Sequence, residues 1–389
     1  MSAQIPFTKP FITGQELSYI SEAIESGNVA ADGPFTRRCS QLLGEMLGGS
    51  AKVLMTPSGT AALEVAALLC DLKPGDEVIL PSFTFVSTAS AIVRAHGKPV
   101  FIDIRPDTLN LNESLIEPAI TSKTKAIMLV HYGGTSCEMD RIMEIARKYD
   151  LKVIEDGAQA VNASYRGRPL GSIGDLGAFS FHHTKNVICG EGGALCVNDP
   201  DMVTRAEILR EKGTNRGQFV RGEVDKYTWV DLGSSYIPSE IDCAFLYAQL
   251  LKLDWITARR REVYENYRRH LRPLEEQGII RLPVIPESCE SNYHLFYLIL
   301  QDSQTREGLT AYLKQNGIEA TFHYVPLHSS PMGKTFGYRT NQLPVTEDLA
   351  SRLLRLPIYP DLTQDEQLLI IHHLNAYLKK VDNKILLQV

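Results

Sequence analysis

Between residues 50 and 200 short apolar runs alternate with helical patterns. Lys52–Met55, Glu77–Leu80, Pro99–Ile104, Ala126–Val130, Lys152–Glu155 and Ala178–Phe181 are the apolar runs, and they predict strands. Ala61–Leu69, Val86–Arg94 and Met139–Lys148 carry apolar residues at helical spacing and predict helices. Strands alternating with helices of this length read as βαβ units, hence an α/β fold on a mostly parallel sheet. The unbroken run Ala126-Ile127-Met128-Leu129-Val130 predicts a strand covered on both faces.

Beyond residue 240 the texture changes. Ile241–Arg261 predicts one long helix, and a Pro-bearing loop near Leu282–Pro286 leads into a strand at His294–Leu300. A helix at Thr305–Gln315, an extended stretch at Glu319–Val325 and a helix around Gln364–Lys379 close the chain. This order predicts a large domain over 1–254 and a smaller C-terminal α+β domain over 255–389. The N-terminal segment is free to pack on the second of these.

The 389 residues are 44% hydrophobic and 22% charged, which excludes a wholly disordered chain, a collagen and a simple coiled coil. Forty Lys and Arg against 46 Asp and Glu give a net charge of −6, which argues against nucleic acid as a partner. No apolar run approaches the roughly 18 residues of a membrane span, so no membrane partner is expected. The N-terminus lacks a basic region followed by an apolar stretch, so no secretory signal is expected. The seven cysteines include no C-x-x-C pair and predict free thiols in a reducing, cytoplasmic setting.

Four segments carry candidate chemistry. Asp156 ends a predicted buried strand, where ligands bind in open parallel sheets. A carboxylate there suits a metal, a base, a protonated ring nitrogen or a plain helix N-cap. Lys185 lies between an apolar strand and the Gly-rich Gly190-Glu191-Gly192-Gly193. Burial would lower its pKa and make it a nucleophile, whereas in isolation it reads as a solvated surface lysine. Ser58-Gly59-Thr60 opens a helix after a strand and suits an anion. Phe83 and Phe85 follow another strand and suit either the core or a planar ring. The adjacent His182 and His183 would face opposite ways on a strand, so no metal is expected. Together, a phosphate anchor, an aromatic, an Asp and a Lys are what pyridoxal 5'-phosphate requires, and their order matches fold-type I pyridoxal enzymes.

On these residues the chain resembles the sugar-nucleotide aminotransferases related to DegT, DnrJ and StrS, from about Ile5 to Leu378. The segments that carry the resemblance are Pro57–Leu63, Pro81–Phe85, Glu155–Gln159, Ser180–Lys185 and Gly190–Gly193. The resemblance implies a seven-stranded, mostly parallel sheet in the large domain. It implies that Lys185 is joined to the cofactor aldehyde and later shuttles protons. Asp156 would pair with the ring nitrogen, Gln159 with the ring hydroxyl, and Phe85 would stack on the ring. Gly59, Thr60 and Ser180 would hold the phosphate. A homodimer with shared active sites is implied, in which Ser235 would reach the partner's phosphate. Where many relatives carry an Arg, this chain has Ile237, so the donor carboxylate lacks an obvious partner, with Arg216 and Arg221 left open. His323, Tyr324 and His328 are candidates for the sugar pocket, as is Arg216.

Further segments, Phe35–Cys39, Arg210–Arg216, Val224–Trp229, Gly233–Tyr236, Tyr324–His328 and Leu354–Pro357, resemble the branch that aminates dTDP-4-keto-6-deoxyglucose to the galacto product. The expected reaction is ping-pong transamination from L-glutamate, with pyridoxamine 5'-phosphate as the amino carrier between the two halves. Two other readings are a pyridoxamine-dependent deoxysugar dehydratase, which carries His where Lys185 stands, and a cofactor-binding regulator without turnover.

Overall fold

The computed structural model describes residues 4–30 and 32–386, with side chains described as far as residue 381. Seven strands make one sheet: β1 (Lys52–Thr56), β2 (Glu77–Pro81), β3 (Lys98–Ile102), β4 (Thr124–Val130), β5 (Lys152–Asp156), β6 (Leu176–Ser180) and β7 (Gly193–Val197). Their order is β1-β7-β6-β5-β4-β2-β3. β2 pairs in parallel with β3 and β4, and β4, β5 and β6 continue in parallel. β7 alone is reversed, antiparallel to both β1 and β6. The sheet is therefore mostly parallel, as the alternation predicts.

Helices cover both faces. α1 (Glu16–Glu25) and α2 (Pro34–Met46) pack against helix Glu240–Leu250. α3 (Gly59–Leu69) follows β1, and α4 (Val86–Arg94) follows β2. Nearly every side chain of α3 is buried, because it packs on β6, β7 and α4 together. Its Ala-rich sequence lets neighbouring backbones approach while still removing apolar surface from water.

A second core gathers Val263, Tyr267, Phe296, Leu309, Leu354, Leu356 and Leu374. Here β8 (Phe296–Ile299) pairs antiparallel with β9 (Leu353–Leu356), under helices Leu253–Glu276, Ser303–Gln315 and Gln364–Leu386. Ile5 belongs to this core: its N–H donates to Gly317 O at 2.8 Å, and its carbonyl accepts from Glu319 N at 3.0 Å. The N-terminal segment thus packs on the C-terminal part of the chain.

Helices α1 and α2 and strand β9 are not among the sequence expectations, and two further elements differ from them. The single helix expected over Ile241–Arg261 is two, Glu240–Leu250 and Leu253–Glu276, with a tight turn in which Lys252 N donates to Gln249 O. No Gly or Pro marks the break. Leu250 stays buried while Leu251 and Lys252 are exposed, so packing turns the chain. Helix Leu253–Glu276 then runs from Ile256, in a core shared with Phe35 and Leu43 of α2 and Val53 and Met55 of β1, to Leu274 in the second core. β7 is the other difference, since its leading Gly192-Gly193 reads as loop.

Candidate active site

The parallel strands end on one edge of the sheet, and the chemistry-bearing residues follow those ends. After β1, Ser58 caps α3 and its Oγ accepts from Ala61 N at 3.0 Å. The first-turn amides of α3 have no intrahelical acceptor and point out of the helix. Gly59 is required by close approach: a Cβ there would sit 2.8 Å from Ser180 Cβ and 3.1 Å from Phe179 O. Thr60 Oγ1 lies 2.7 Å from Ser87 Oγ. The helix start, two threonine and serine hydroxyls and Ser180 at the end of β6 form one small cradle lined by donors.

After β5, Asp156 is buried and pre-oriented. Thr88 Oγ1 donates to its Oδ2 at 2.8 Å, and Ala158 N donates to its Oδ1 at 3.1 Å. Burial raises its pKa, and Thr88, Ala158, Lys185 and His131 only partly offset this. Beneath it, Cys137 N donates to His131 Nδ1 at 3.2 Å, so the ring's proton is on Nε2, which lies 2.9 Å from Glu155 Oε2. Gln159 Oε1 accepts from Gly133 N at 2.7 Å, and its Nε2 donates to Tyr324 Oη at 2.8 Å. Phe85, at the start of α4, is 56% exposed, so it is not a core phenylalanine; Phe83 is.

Lys185 sits in the loop between β6 and β7, its N–H donating to His182 O at 2.8 Å. Its side chain is half-buried, and loss of solvent around it pushes its pKa down to about 8, with Asp156 opposing and Arg355 adding to the fall. His182 and His183 lie in this loop rather than on a strand, and their rings come within 4.1 Å instead of facing apart. No group of three His, Cys, Asp or Glu side chains among the described residues is placed to hold a metal.

The opposite wall comes from the second core and the N-terminal segment. His323 Nδ1 lies 3.0 Å from Tyr132 Oη, and His294 Nδ1 lies 2.8 Å from Asn186 Oδ1. Arg260 donates to the carbonyls of Tyr293 and His294 at 3.1 and 2.6 Å, and burial pushes its pKa down to about 9. Arg355 stacks over the Phe7 ring at 4.6 Å. These walls enclose a cavity of about 600 Å³ lined by Gly59, Thr60, Phe85, Asp156, Gln159, Ser180, Lys185, His323 and Tyr324, among others.

Two residues expected in the sugar pocket lie elsewhere. His328 is fully buried, its Nδ1 2.7 Å from Ser82 Oγ and its Nε2 2.9 Å from Glu347 Oε1, so it ties β2's end to the C-terminal part instead of lining the cavity. Arg216 is exposed on the short helix Arg216–Val220 and does not line the cavity, while Ser235, expected to act across a dimer, is exposed beside Glu211. The sequence reading did not assign Thr88, Tyr132, Arg260, His294 or Arg355 to the site.

Residues 10–375 match the DegT/DnrJ/EryC1/StrS aminotransferase family. The chain belongs to that family. It is 35% identical over 322 residues to the "Pleiotropic regulatory protein" of Geobacillus stearothermophilus, spanning 82% of this chain and 83% of that one. It is 33% identical over 370 residues to the spore coat polysaccharide biosynthesis protein SpsC of Bacillus subtilis, spanning 93% and 94%. Among solved structures, the aminotransferase TlmJ from Streptoalloteichus hindustanus superposes with a TM-score of 0.88 at 30% identity, over 97% of this chain and all of that one. NtdA from Bacillus subtilis, with pyridoxamine phosphate bound, does so with a TM-score of 0.88 at 28% identity, over 97% of this chain and 86% of NtdA.

As a family member the protein is a pyridoxal 5'-phosphate-dependent aminotransferase with the fold-type I architecture. The donor set fits this cofactor. The α3 start and hydroxyls offer a cradle for a phosphate, Asp156 a carboxylate with its oxygens pre-aimed, Phe85 an uncovered aromatic face, and Lys185 an amine shifted toward neutrality.

Proposed function

We propose that the protein transfers the amino group of L-glutamate to C4 of dTDP-4-keto-6-deoxyglucose. The products are dTDP-4-amino-4,6-dideoxygalactose and 2-oxoglutarate, for a surface glycan of the enterobacterial common antigen type. The observation that carries the catalytic part is the convergence of Lys185, Asp156, Gln159 and Phe85 with the α3 start on one cavity. The nucleotide, the C4 position and the galacto configuration rest on the sequence resemblance. SpsC, named for polysaccharide biosynthesis, supports the glycan setting.

In this reading, Gly59, Thr60 and Ser180 hold the phosphate, and Asp156 keeps a proton on the ring nitrogen. Gln159 orients the ring hydroxyl, and Phe85 covers one face of the ring. Pyridoxal phosphate supplies an electron sink that stabilises charge at the reacting carbon. Lys185 Nζ takes the proton from the donor's α-carbon and later delivers one to C4 of the sugar. A pKa near 8 suits both acts, because the amine is poised between its two forms close to working pH. Tyr324 and His323 form the wall that faces the acceptor. The cavity shares Phe322, Tyr324 and Val325 with an adjoining groove of about 440 Å³, room for an acceptor larger than an amino acid.

The protein acts as a homodimer in the cytoplasm. Support for the dimer comes from the exposed apolar side chains Phe219, Tyr227, Trp229 and Leu232, in the segment that also carries Ser235. Regulation without turnover, which the Geobacillus relative's name invites, leaves the depressed Lys185 pKa without a use. Lys185→Ala tests the reading: turnover is expected to vanish while pyridoxamine phosphate still binds. Near-native activity in this variant overturns the assignment.

A further inference from the structure

Arg355 is the one cavity-lining guanidinium, among the described residues, that makes no hydrogen bond or ion pair; Arg260 is engaged by two carbonyls. The Nε of Arg355 is buried without a partner, and its guanidinium carbon lies 4.6 Å from the centre of the Phe7 ring. It projects from β9, where main-chain bonds to Thr321 at 2.7 and 3.2 Å fix the strand. Its two strand neighbours, Leu354 and Leu356, point into the second core, so alternation sends Arg355 to the other face. A half-buried cation without an anion carries a desolvation cost, and one left unpaired on a cavity wall fits an anion that comes and goes.

We propose that Arg355 binds the α-carboxylate of the amino donor. This rests on the transaminase reading above and supplies the contact that Ile237 does not. The two arginines left open by the sequence are unsuitable. Arg216 is exposed outside the cavity, and Arg221 is already paired with Glu207 and Glu223 at 2.8 and 2.6 Å. Of the other anions, the cofactor phosphate has its own cradle at the α3 start. The acceptor's diphosphate lies across the sugar ring from the reacting carbon. The donor's α-carboxylate is bonded directly to the carbon that loses its proton. Arg355 is close enough to Lys185 for its charge to be felt there and at His323. Because no resident acid neutralises Arg355, the donor does not have to displace one. After the keto acid leaves, the guanidinium beside Phe7 is compatible with an uncharged sugar in the same space.

The test compares wild type, Arg355→Gln and Arg355→Lys with L-glutamate, its 1-amide and 2-oxoglutarate. Calorimetric titration of 2-oxoglutarate into the cofactor-loaded protein reads binding without turnover and without any sugar. Arg355→Gln is expected to weaken 2-oxoglutarate binding and raise the KM for glutamate by about 10- to 100-fold, with the KM for the sugar nucleotide unchanged. Arg355→Lys, which keeps the charge but not the fork, is expected to fall between. Wild type should reject the 1-amide strongly, and Arg355→Gln should lose that discrimination. Unchanged 2-oxoglutarate binding in Arg355→Gln overturns the proposal. So does a raised KM for the sugar with glutamate unaffected. If wild type binds 2-oxoglutarate through Arg355 yet aminates no nucleotide ketosugar, the acceptor assignment fails and the carboxylate site stands.

Discussion

Lys185 and Asp156 illustrate how one cavity sets two opposite charges against burial. Burial pushes the Asp156 pKa up and the Lys185 pKa down, and each softens the other's shift. Lys185 must lose its proton to attack an aldehyde, so loading of the cofactor-free protein should speed up as pH rises through about 8 and level off above it. Stopped-flow absorbance across pH measures this, and a midpoint near the ordinary lysine value, about 10.4, contradicts the burial argument. Asp156→Asn should cut kcat by ~10²-fold or more, because an amide cannot keep a proton on the ring nitrogen. Thr88→Ala, which removes the bond that aims Asp156, should cost about tenfold in kcat. Equal kcat in both variants and wild type argues against a role for Asp156. The placement of Lys185 and Asp156 on the cavity was legible because each follows a predicted strand. Thr88 and Arg355 were not. The first looks like any helix threonine, and the second is a single polar residue in the run Leu353-Leu354-Arg355-Leu356. Alternation along that run is the available signal for Arg355.

At the scale of elements, the site depends on strand ends and one helix start. Gly59 lets α3 begin hard against the end of β6, and β7 packs as closely, since a Cβ on Gly193 would lie 2.4 Å from Ser58 O. Gly59→Ala should therefore push α3 away from Ser180 and weaken cofactor binding by about 10- to 100-fold, with the overall fold retained. Equilibrium titration of the cofactor, alongside circular dichroism, measures both; native affinity contradicts the cradle. The parallel strands were readable because strands covered on both faces form unbroken apolar runs. β7 was obscured by its leading glycines. The turn at Leu251 and Lys252 was obscured because packing rather than sequence breaks that helix.

At the scale of the molecule, the cavity lies where two cores meet, with Phe7 and Thr8 of the N-terminal segment on its wall. That segment is held by Ile5 pairing beside Ile318 and by Phe7 N donating to Glu319 Oε2 at 3.0 Å. The exposed apolar segment with Trp229, 76% accessible, needs a cover if the protein is to stay soluble. If this segment forms the proposed homodimer interface, wild type should sediment as a dimer and Trp229→Asp toward the monomer. An unchanged dimer moves the interface elsewhere.

The most direct test of the whole account supplies purified protein with pyridoxal phosphate, L-glutamate and dTDP-4-keto-6-deoxyglucose, and identifies the product by mass and by proton NMR couplings at C4. The account predicts an amino sugar nucleotide bearing an axial amine at C4. An equatorial amine contradicts the stereochemical assignment, and the absence of any amino sugar contradicts the acceptor.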